Sequence, residues 1–541
     1  MPAFRLSTGI KKGFRGAFPA FDEPGLRTYF ADDTHCLVYG DTARFDPRQA
    51  GERAAIDGLS QIVQCQHTGA IDIIADRSSA YPLYVAIRGE RVLITSDVPH
   101  LLNILDPEDR RPDRQALDEL LAFGQILGQR TTLEDVVHLA GDTGLRIDEN
   151  GCHRIDENYA RTVGHRENVN QVIDRLVAVV SRQARQVEDD LLLPISGGLD
   201  TRLILAACLA AGLRPGLCVF GAPDSADRTI ADAIARTHKL PLAAFDIDPE
   251  MAWARAPMVA LASGGELPLH HGHALLASGF AEAIDGQAMM VGTGGEAFRA
   301  FYYDRGMPGF SHLGQGALKP ALTKRAKRWV SEHVLDHADD IPADLLERLD
   351  GEIGSILDNE PDLARGLDQV YLQMRVRRAV IAGQQILNDH CLRLHPLLDT
   401  GLQAAFASLP IGWRLGGAFH RHAIHQLSPA LADITWDRTS RPLSKGLTWQ
   451  ERWPGLANRL GARGAYAKAG APLGDYRGLL SNTGLKEMIT ELDDSGLLSD
   501  ASRAMLRRPT PGRIGALKSF ACWASSLQRT KTDQLNERIP A

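Results

Sequence analysis

One stretch of the chain decides its fold: Leu191-Leu192-Leu193-Pro194-Ile195-Ser196-Gly197-Gly198-Leu199-Asp200-Thr201-Arg202. The leucine run has the composition of a buried strand, and an apolar helical pattern starts at Thr201. Two glycines between a strand and a helix let a phosphate approach the backbone, and the helix N-terminus attracts the anion. The stretch therefore predicts a phosphate loop, in which Asp200 caps the helix or holds Mg²⁺. The alternative is an ordinary tight turn with Asp200 as a plain N-cap.

The pattern around this loop predicts an α/β fold in two parts. Helical periodicity at 172–186 and 226–238 alternates with short apolar runs at 191–193, 215–220 and 241–245, which is typical of a doubly wound parallel sheet. Upstream, hairpins are predicted at 81–95 and at 141–154. We place a domain boundary near residue 165, which gives domains 1–165 and 166–541. The second is predicted to gain extra helices, and Asp224 and Asp227 are expected to cap the helix at 226–238.

Length and composition exclude several classes of protein. At roughly 100–200 residues per domain, 541 residues predict two to four domains. With 60 Lys and Arg against 67 Asp and Glu the net charge is −7, so the chain lacks the basic surface of a nucleic-acid binder. The 7 scattered cysteines contain no Cys-x-x-Cys pair. No signal segment opens the chain, and its longest apolar run, 203–213, is shorter than the ~20 residues of a membrane span. These features predict a cytoplasmic protein without a membrane span.

The phosphate loop lacks the Gly-Lys-Ser/Thr of a Walker loop and instead resembles the Ser-Gly-Gly-x-Asp-Ser/Thr loop of N-type ATP pyrophosphatases. The resemblance extends to the asparagine synthetase-like family over nearly the whole chain. Residues 76–84 are similar to that family's D-R-F-G-I-K-P-L-Y segment, 395–399 to its V-P-F-L-D element, and 441–446 to its R-P-K-x-G-F loop. The family implies an Ntn-hydrolase-like α+β sandwich at 1–165, followed by a doubly wound synthetase domain at 166–541 that uses ATP and Mg²⁺.

The N-terminal part departs from the glutamine-hydrolysing members of the family. Those members need a cysteine as the second residue, whereas this chain has Pro2, and its first cysteine is Cys36. We therefore expect domain 1–165 to be catalytically inactive.

Family members without that cysteine take their amine from ammonia or from the substrate itself. The chain most resembles the lasso peptide macrolactam cyclases, which adenylate an Asp or Glu side chain of a precursor peptide and join it to the peptide's N-terminal amine. That resemblance implies a precursor peptide substrate, a leader peptidase and a leader-recognition protein as partners. The alternatives are an ammonia-dependent asparagine synthetase, a small-molecule cyclase like β-lactam synthetase, and a non-catalytic scaffold.

The resemblance also assigns roles to individual residues. The segment 291–296 is similar to the family's S-G-E-G-A-D loop, so Asp200 and Glu296 are the predicted metal and catalytic carboxylates. Lys445 is the candidate for the lysine that stabilises charge during amide formation, and a solvated loop lysine is an equal alternative. Arg421 stands near the place of the family's pyrophosphate lysine. The predicted ATP and pyrophosphate contacts are Ile195, Ser196, Gly197, Gly198, Leu199, Asp200, Thr201, Val219, Phe220, Gly292 and Arg421.

Three histidines, His270, His271 and His273, lie close together in the sequence. No cysteine or carboxylate near them has the spacing of a known zinc pattern, so a metal site is not predicted. They precede the Glu296 loop by one helix, and we expect them to line the pocket of the acceptor substrate.

Overall fold

The structure is a computed structural model that describes residues 5–9, 22–23, 26–31, 34–40, 59–65, 67–89, 91–139, 141, 143–156, 167–187, 191–247, 249–306, 340–360, 362–448 and 484–528. It has a mixed α/β fold, with antiparallel sheets in the first part and a five-stranded parallel sheet in the second. The predicted fold class is confirmed. The predicted boundary near residue 165 and Pro2 lie outside the described residues.

Eleven strands of the described residues form the two antiparallel sheets of the first part. They are β1 Arg5–Gly9, β2 Asp22–Glu23, β3 Leu26–Ala31, β4 Thr34–Gly40, β5 Leu59–Cys65, β6 Ile71–Ile74, β7 Leu83–Arg88, β8 Arg91–Thr95, β9 Val136–Leu139, β10 Thr143–Asp148 and β11 Gly151–Asp156. The sheet orders are β1-β8-β7-β9 and β11-β10-β6-β5-β4-β3-β2. Both predicted hairpins are confirmed, with Ile87 opposite Val92 and Ile147 opposite Cys152. Apolar side chains of the two sheets share one core.

The parallel sheet determines where a ligand can lie. Its strands are β12 Leu191–Pro194, β13 Gly216–Phe220, β14 Leu242–Phe245, β15 Ala288–Met290 and β16 Leu392–Leu394. All neighbours are parallel, in the order β14-β13-β12-β15-β16. The direction of winding reverses between β12 and β15, and a crevice opens at the carboxyl ends of the strands at such a point. A small antiparallel pair, β17 Thr435–Trp436 and β18 Arg441–Pro442, follows.

Helices cover both parts of the chain. They are α1 Val98–Leu101, α2 Arg114–Phe123, α3 Val169–Ala184, α4 Asp200–Ala210, α5 Ala226–His238, α6 Pro249–Ala254, α7 Ala256–Ser263, α8 His273–Leu276, α9 Phe280–Ala283, α10 Phe301–Gly306, α11 Ala343–Asp358, α12 Leu363–Val370, α13 Ile381–Gln385, α14 Thr400–Ala407, α15 Ile411–Arg414, α16 Ala418–Leu427, α17 Pro429–Ala432, α18 Leu485–Asp494, α19 Asp500–Leu506 and α20 Pro511–Leu527. Short 3₁₀ turns lie at Pro107–Asp109, Leu269–His271, Ala297–Arg299, Pro396–Leu398, Leu415–Gly417 and Leu443–Lys445. None of these helices is long and apolar enough to cross a bilayer.

Local signals explain where the helices begin. Helix α3 begins at Val169 and not at 172, because Asn168 and Gln171 form a reciprocal capping box there. Helix α5 is capped by Ser225, whose side chain accepts a hydrogen bond from the N–H of Arg228. The expectation that Asp224 and Asp227 cap this helix is therefore wrong.

Two elements of the second part pack back onto the first. Helix α20 packs against α2 and α7, and its fully buried Trp523 shares a cluster with Tyr84 and Leu93 of the four-stranded sheet. A ten-residue π-helical segment, Tyr371–Val380, joins α12 to α13. From it Arg378 donates hydrogen bonds to the carbonyl oxygens of Ile126 and Arg130. Helix α2, the π-helical segment and α20 therefore meet beside the parallel sheet.

Candidate functional site

The phosphate loop lies between β12 and α4 at the reversal point of the sheet. The position of a Cβ on Gly197 is 2.6 Å from the Cβ of Asp437, so only glycine fits there. The N–H of Gly197 donates to Asp227 Oδ1 over 2.7 Å, so Asp227 holds the loop rather than the helix. The hydroxyl oxygens of Ser196 and Thr201 lie 3.4 Å apart. The first N–H groups of α4 have no intrahelical acceptor, and such groups at a helix start can donate to an anion.

The loop that carries Glu296 packs directly on the start of α4. A Cβ on Gly292 would lie 3.0 Å from the backbone nitrogen of Thr201, and one on Gly295 would lie 2.4 Å from Cγ of Asp200. These two glycines permit the close approach of the two loops. The structure therefore brings Asp200 and Glu296 together, and burial, followed by the charge of Asp200, raises the pKa of Glu296.

Asp200 does not act as a plain N-cap, because its carboxylate contacts side chains of other elements. Its Oδ2 accepts a hydrogen bond from Arg299 Nη2 over 2.8 Å. His420 on α16 is fully buried, and its Nε2 lies 2.9 Å from Oδ1 of Asp200. Burial alone would raise the pKa of Asp200, but Arg299 and His420 outweigh it and lower that pKa. Burial lowers the pKa of His420, although Asp200 opposes this effect.

Arg299 lies where a metal shared by the two carboxylates would have to bind. Its Nη2 is 3.7 Å from Glu296 Oε1 as well as 2.8 Å from Asp200. Mg²⁺ requires oxygen ligands at roughly 2.0–2.1 Å in octahedral geometry. Within the described residues no group of three or more His, Cys, Asp or Glu side chains could hold a metal. The arrangement does not fit a Mg²⁺ ion held between Asp200 and Glu296, so that assignment stays a sequence prediction and we derive no step from it.

The remaining predicted contacts lie around the same crevice or at its edge. Ile195 and Leu199 are 3% and 2% exposed and belong to the hydrophobic core. Val219 is core, at 2% exposed, whereas the ring of Phe220 is partly exposed and packs edge-on against Phe280 at 4.6 Å. Arg421 is half-buried and follows His420 on α16. Their contacts with ATP stay predictions.

Lys445 is exposed, in the 3₁₀ turn Leu443–Lys445 that packs against α16 and α17. Nothing in the described contacts ties its ammonium group to the carboxylates, so its catalytic role also stays a prediction.

A cavity of about 360 Å³ opens beside Glu296. Its walls are formed by the C-terminal end of α2, the 3₁₀ turn Leu269–His271, helix α10, the π-helical segment and the first turn of α20. They are lined by residues 120–124, His270, His271, Glu296, Phe301, Tyr302, Tyr371, Arg375, Thr510, Gly512 and Arg513. Two of the three singled-out histidines thus line a cavity next to the predicted site. His273 is not among its lining residues and packs against the ring of Phe220.

Four residues at this site escaped the sequence analysis: Arg299, Tyr371, Arg375 and His420. The spacing of Glu296 and Arg299 by three residues was the one visible signal, since side chains at i and i+3 can meet. The other three come from helices far along the chain, and no local pattern marks them.

Comparisons with known proteins add little to this geometry. No protein-family model matches the sequence, and no curated protein does. Among solved structures, the chain is similar to glutamine phosphoribosylpyrophosphate amidotransferase from B. subtilis, a complex with ADP and GMP, at 11% identity and a TM-score of 0.15. The match covers 51% of this chain and 60% of that one, less than two thirds of its length. At that TM-score the similarity carries no argument about function, which must rest on the site itself.

Proposed function

We propose that the chain is an ATP-dependent carbon–nitrogen ligase that activates a carboxylate as its acyl-adenylate. The observation that carries the proposal is the phosphate loop at 195–201, which lies at the reversal point of a parallel sheet with the Glu296 loop packed on it. Exposed N–H groups at the start of a helix and a glycine pair without side chains suit a polyphosphate.

The positively charged groups around Asp200 support a reaction that expels pyrophosphate. A carboxylate oxygen attacks the α-phosphorus, the bond to the β-phosphate oxygen breaks, and pyrophosphate carries the electron pair away. Arg299 donates to Asp200 through Nη2, so its positive charge lies beside the phosphate loop. Preorganised donors of this kind stabilise the charge that develops on a leaving group. An amine then attacks the acyl carbon, and AMP leaves.

The N-terminal part supplies no glutaminase nucleophile in this proposal. Cys36 is the first cysteine of the chain, it is fully buried in β4, and burial raises the pKa of its thiol to about 12. A buried thiol with such a pKa is not a nucleophile at neutral pH. In this proposal the amine comes from free solution or from the substrate.

The resemblance to lasso peptide cyclases makes a precursor peptide, which closes on its own N-terminal amine, one candidate substrate. With it would come a leader peptidase and a leader-recognition protein. The volume of the cavity, about 360 Å³, favours the second candidate, a small-molecule amide ligase. That volume lies near the lower end of the ~300–1,000 Å³ typical of small-molecule pockets.

Exchange of labelled pyrophosphate into ATP tests the activation step. We expect exchange that depends on an added carboxylic acid, and a fall of about 100-fold in Asp200→Asn, because the neutral amide holds the Arg299 guanidinium less firmly beside the leaving group. Asp232→Asn, on the exposed face of α5, is the matched control and should leave the rate unchanged.

The choice of acid then separates the candidates. Exchange with a core peptide alone supports the cyclase, and exchange with free amino acids supports the small-molecule ligase. An absence of ATP binding, with Asp200→Asn equal to wild type, would indicate a non-catalytic scaffold and contradict the proposal.

A further inference from the structure

The cavity beside Glu296 has two poles of opposite charge. At one pole Arg375 is half-buried, lines the cavity, and makes no hydrogen bond or ion pair with any residue that the structure describes. At the other pole Glu296 forms the wall next to Asp200 and the phosphate loop. An arginine without a carboxylate partner in a cavity wall is a ready site for an anionic group, because its planar fork matches a carboxylate.

The π-helical segment fixes the relation between the two poles. Burial raises the pKa of Glu296, and the nearby hydroxyl of Tyr371 opposes this effect. Arg375 follows four residues later on the same segment, and side chains four residues apart lie on one face of a helix. Tyr371 therefore connects the negative pole to a helix face that also carries the positive pole.

Other parts of the wall strengthen the positive pole. Helix α20, which is 17 residues long, begins at the cavity with Thr510 as its N-cap. Arg513 on its first turn donates to the carbonyl oxygens of Met505 and Arg508. It also lies 3.9 Å from Asp340 Oδ2, which balances part of its positive charge. The end of α2 and the ring of Phe301 supply apolar surface between the poles.

We propose that this cavity binds the amine-donating substrate of the ligase and that this substrate is a small amino acid, with its amino group at Glu296 and its carboxylate on Arg375. The inference rests on the proposed function. Neither ammonia nor the N-terminal amine of a precursor peptide carries an α-carboxylate for Arg375 to bind. The apolar lining leaves room for a hydrocarbon side chain.

The two poles orient the substrate for amide formation. The amino group faces the phosphate loop, where the acyl-adenylate forms. The ammonium group first gives one proton to water, and the lone pair that this frees makes the new C–N bond. The bond from the acyl carbon to the AMP oxygen breaks with its electron pair leaving on AMP, and the nitrogen then loses its second proton to water. Arg375 holds the acceptor's own carboxylate away from the ATP, which keeps it from being activated.

Calorimetric titration without nucleotide tests the site. The probes are the twenty protein L-amino acids, each as the free acid, as its α-amide and as its N-acetyl derivative. We expect at least one free acid to bind, with its amide and its N-acetyl form each weaker by at least ~10-fold, because one charged hydrogen bond is lost. Arg375→Gln should remove the difference between acid and amide, and Arg375→Lys should keep part of it.

Arg365→Gln is the matched control, since Arg365 lies on neighbouring α12, outside the cavity, and pairs with Glu360. It should bind the probes as wild type does. The inference is overturned if no free acid binds more tightly than its amide, or if Arg375→Gln binds it as wild type does. The inference is also overturned if Arg375→Gln weakens ATP binding and the amino acid competes with AMP, because the cavity would then be part of the nucleotide-binding site.

The titration fails or succeeds independently of the ligase chemistry. Amino-acid binding that depends on Arg375, without any pyrophosphate exchange, would refute the proposed ligase activity but support the amino-acid site. Pyrophosphate exchange without amino-acid binding would support the ligase activity and refute the amino-acid site.

Discussion

Replacing Arg299 by methionine removes the partner that holds the carboxylate of Asp200 at the phosphate loop. Both side chains are mostly buried, at 14% and 17% exposed, and their atoms lie 2.8 Å apart. Breaking a buried ion pair by removing one partner costs about 3–5 kcal/mol, because an uncompensated charge stays behind. His420 Nε2 remains 2.9 Å from the other oxygen of Asp200, so we expect the lower end, about 3 kcal/mol of unfolding free energy.

A double-mutant cycle isolates the pair from the general effects of substitution. Asp200→Asn should cost roughly 2 kcal/mol, since Arg299 keeps only the more distant Glu296. The double variant should recover about 2 kcal/mol relative to the sum of the single changes, because contacting residues are not additive.

Urea denaturation followed by tryptophan fluorescence measures the cycle, and the melting temperature of Arg299→Met should fall by about 6 °C at ~2 °C per kcal/mol. The exposed pair Arg91 and Asp106, 2.9 Å apart, is the control and should couple by no more than ~1 kcal/mol. If the free-energy changes of the two single variants at Asp200 and Arg299 add up to that of the double variant within ~0.5 kcal/mol, the buried ion pair is refuted.

Three further variants probe the site and its surroundings. Gly295→Ala should push Asp200 away from Arg299, cost about 1–3 kcal/mol and abolish pyrophosphate exchange. Gly351→Ala, in open space on the exposed face of α11, should instead stabilise the protein by about 0.5–1 kcal/mol, and equal thermal shifts of the two variants would contradict the close packing at Gly295. Burial raises the pKa of Glu266, so the ionised carboxylate destabilises the native state increasingly as the pH rises above the ordinary glutamate range. The melting temperature of Glu266→Gln minus that of wild type should therefore be larger at pH 8 than at pH 5. A difference that does not change with pH would refute this. Lys445→Met should leave the melting temperature within about 1 °C, because the side chain is exposed, but lower amide formation by about 100-fold, and unchanged turnover would make Lys445 a solvated loop residue.

The local features of the fold were predictable from residues close together in the chain. The two hairpins, the strand that precedes Ser196 and the helix that follows it depend on turn residues, apolar periodicity and caps, which act within a few residues. Two helix starts differ from the prediction, and both differences have local causes. The capping box of Asn168 begins α3 at Val169, and Ser225, rather than Asp224 or Asp227, caps α5. The meeting of Asp200 and Glu296 was predicted from the resemblance to a family.

The amino-acid sequence by itself determined that a glycine turn between a strand and a helix would present N–H groups to an anion, because backbone freedom and helix polarity are properties of the local chain. Only the tertiary structure decided which groups surround that turn. The order of the sheet puts β15 beside β12, although almost a hundred residues separate them, and this inserts Arg299 between the carboxylates. Likewise α2, the π-helical segment and α20 enclose the cavity only because the whole core packs them together, and long-range packing of this kind leaves no period in the sequence.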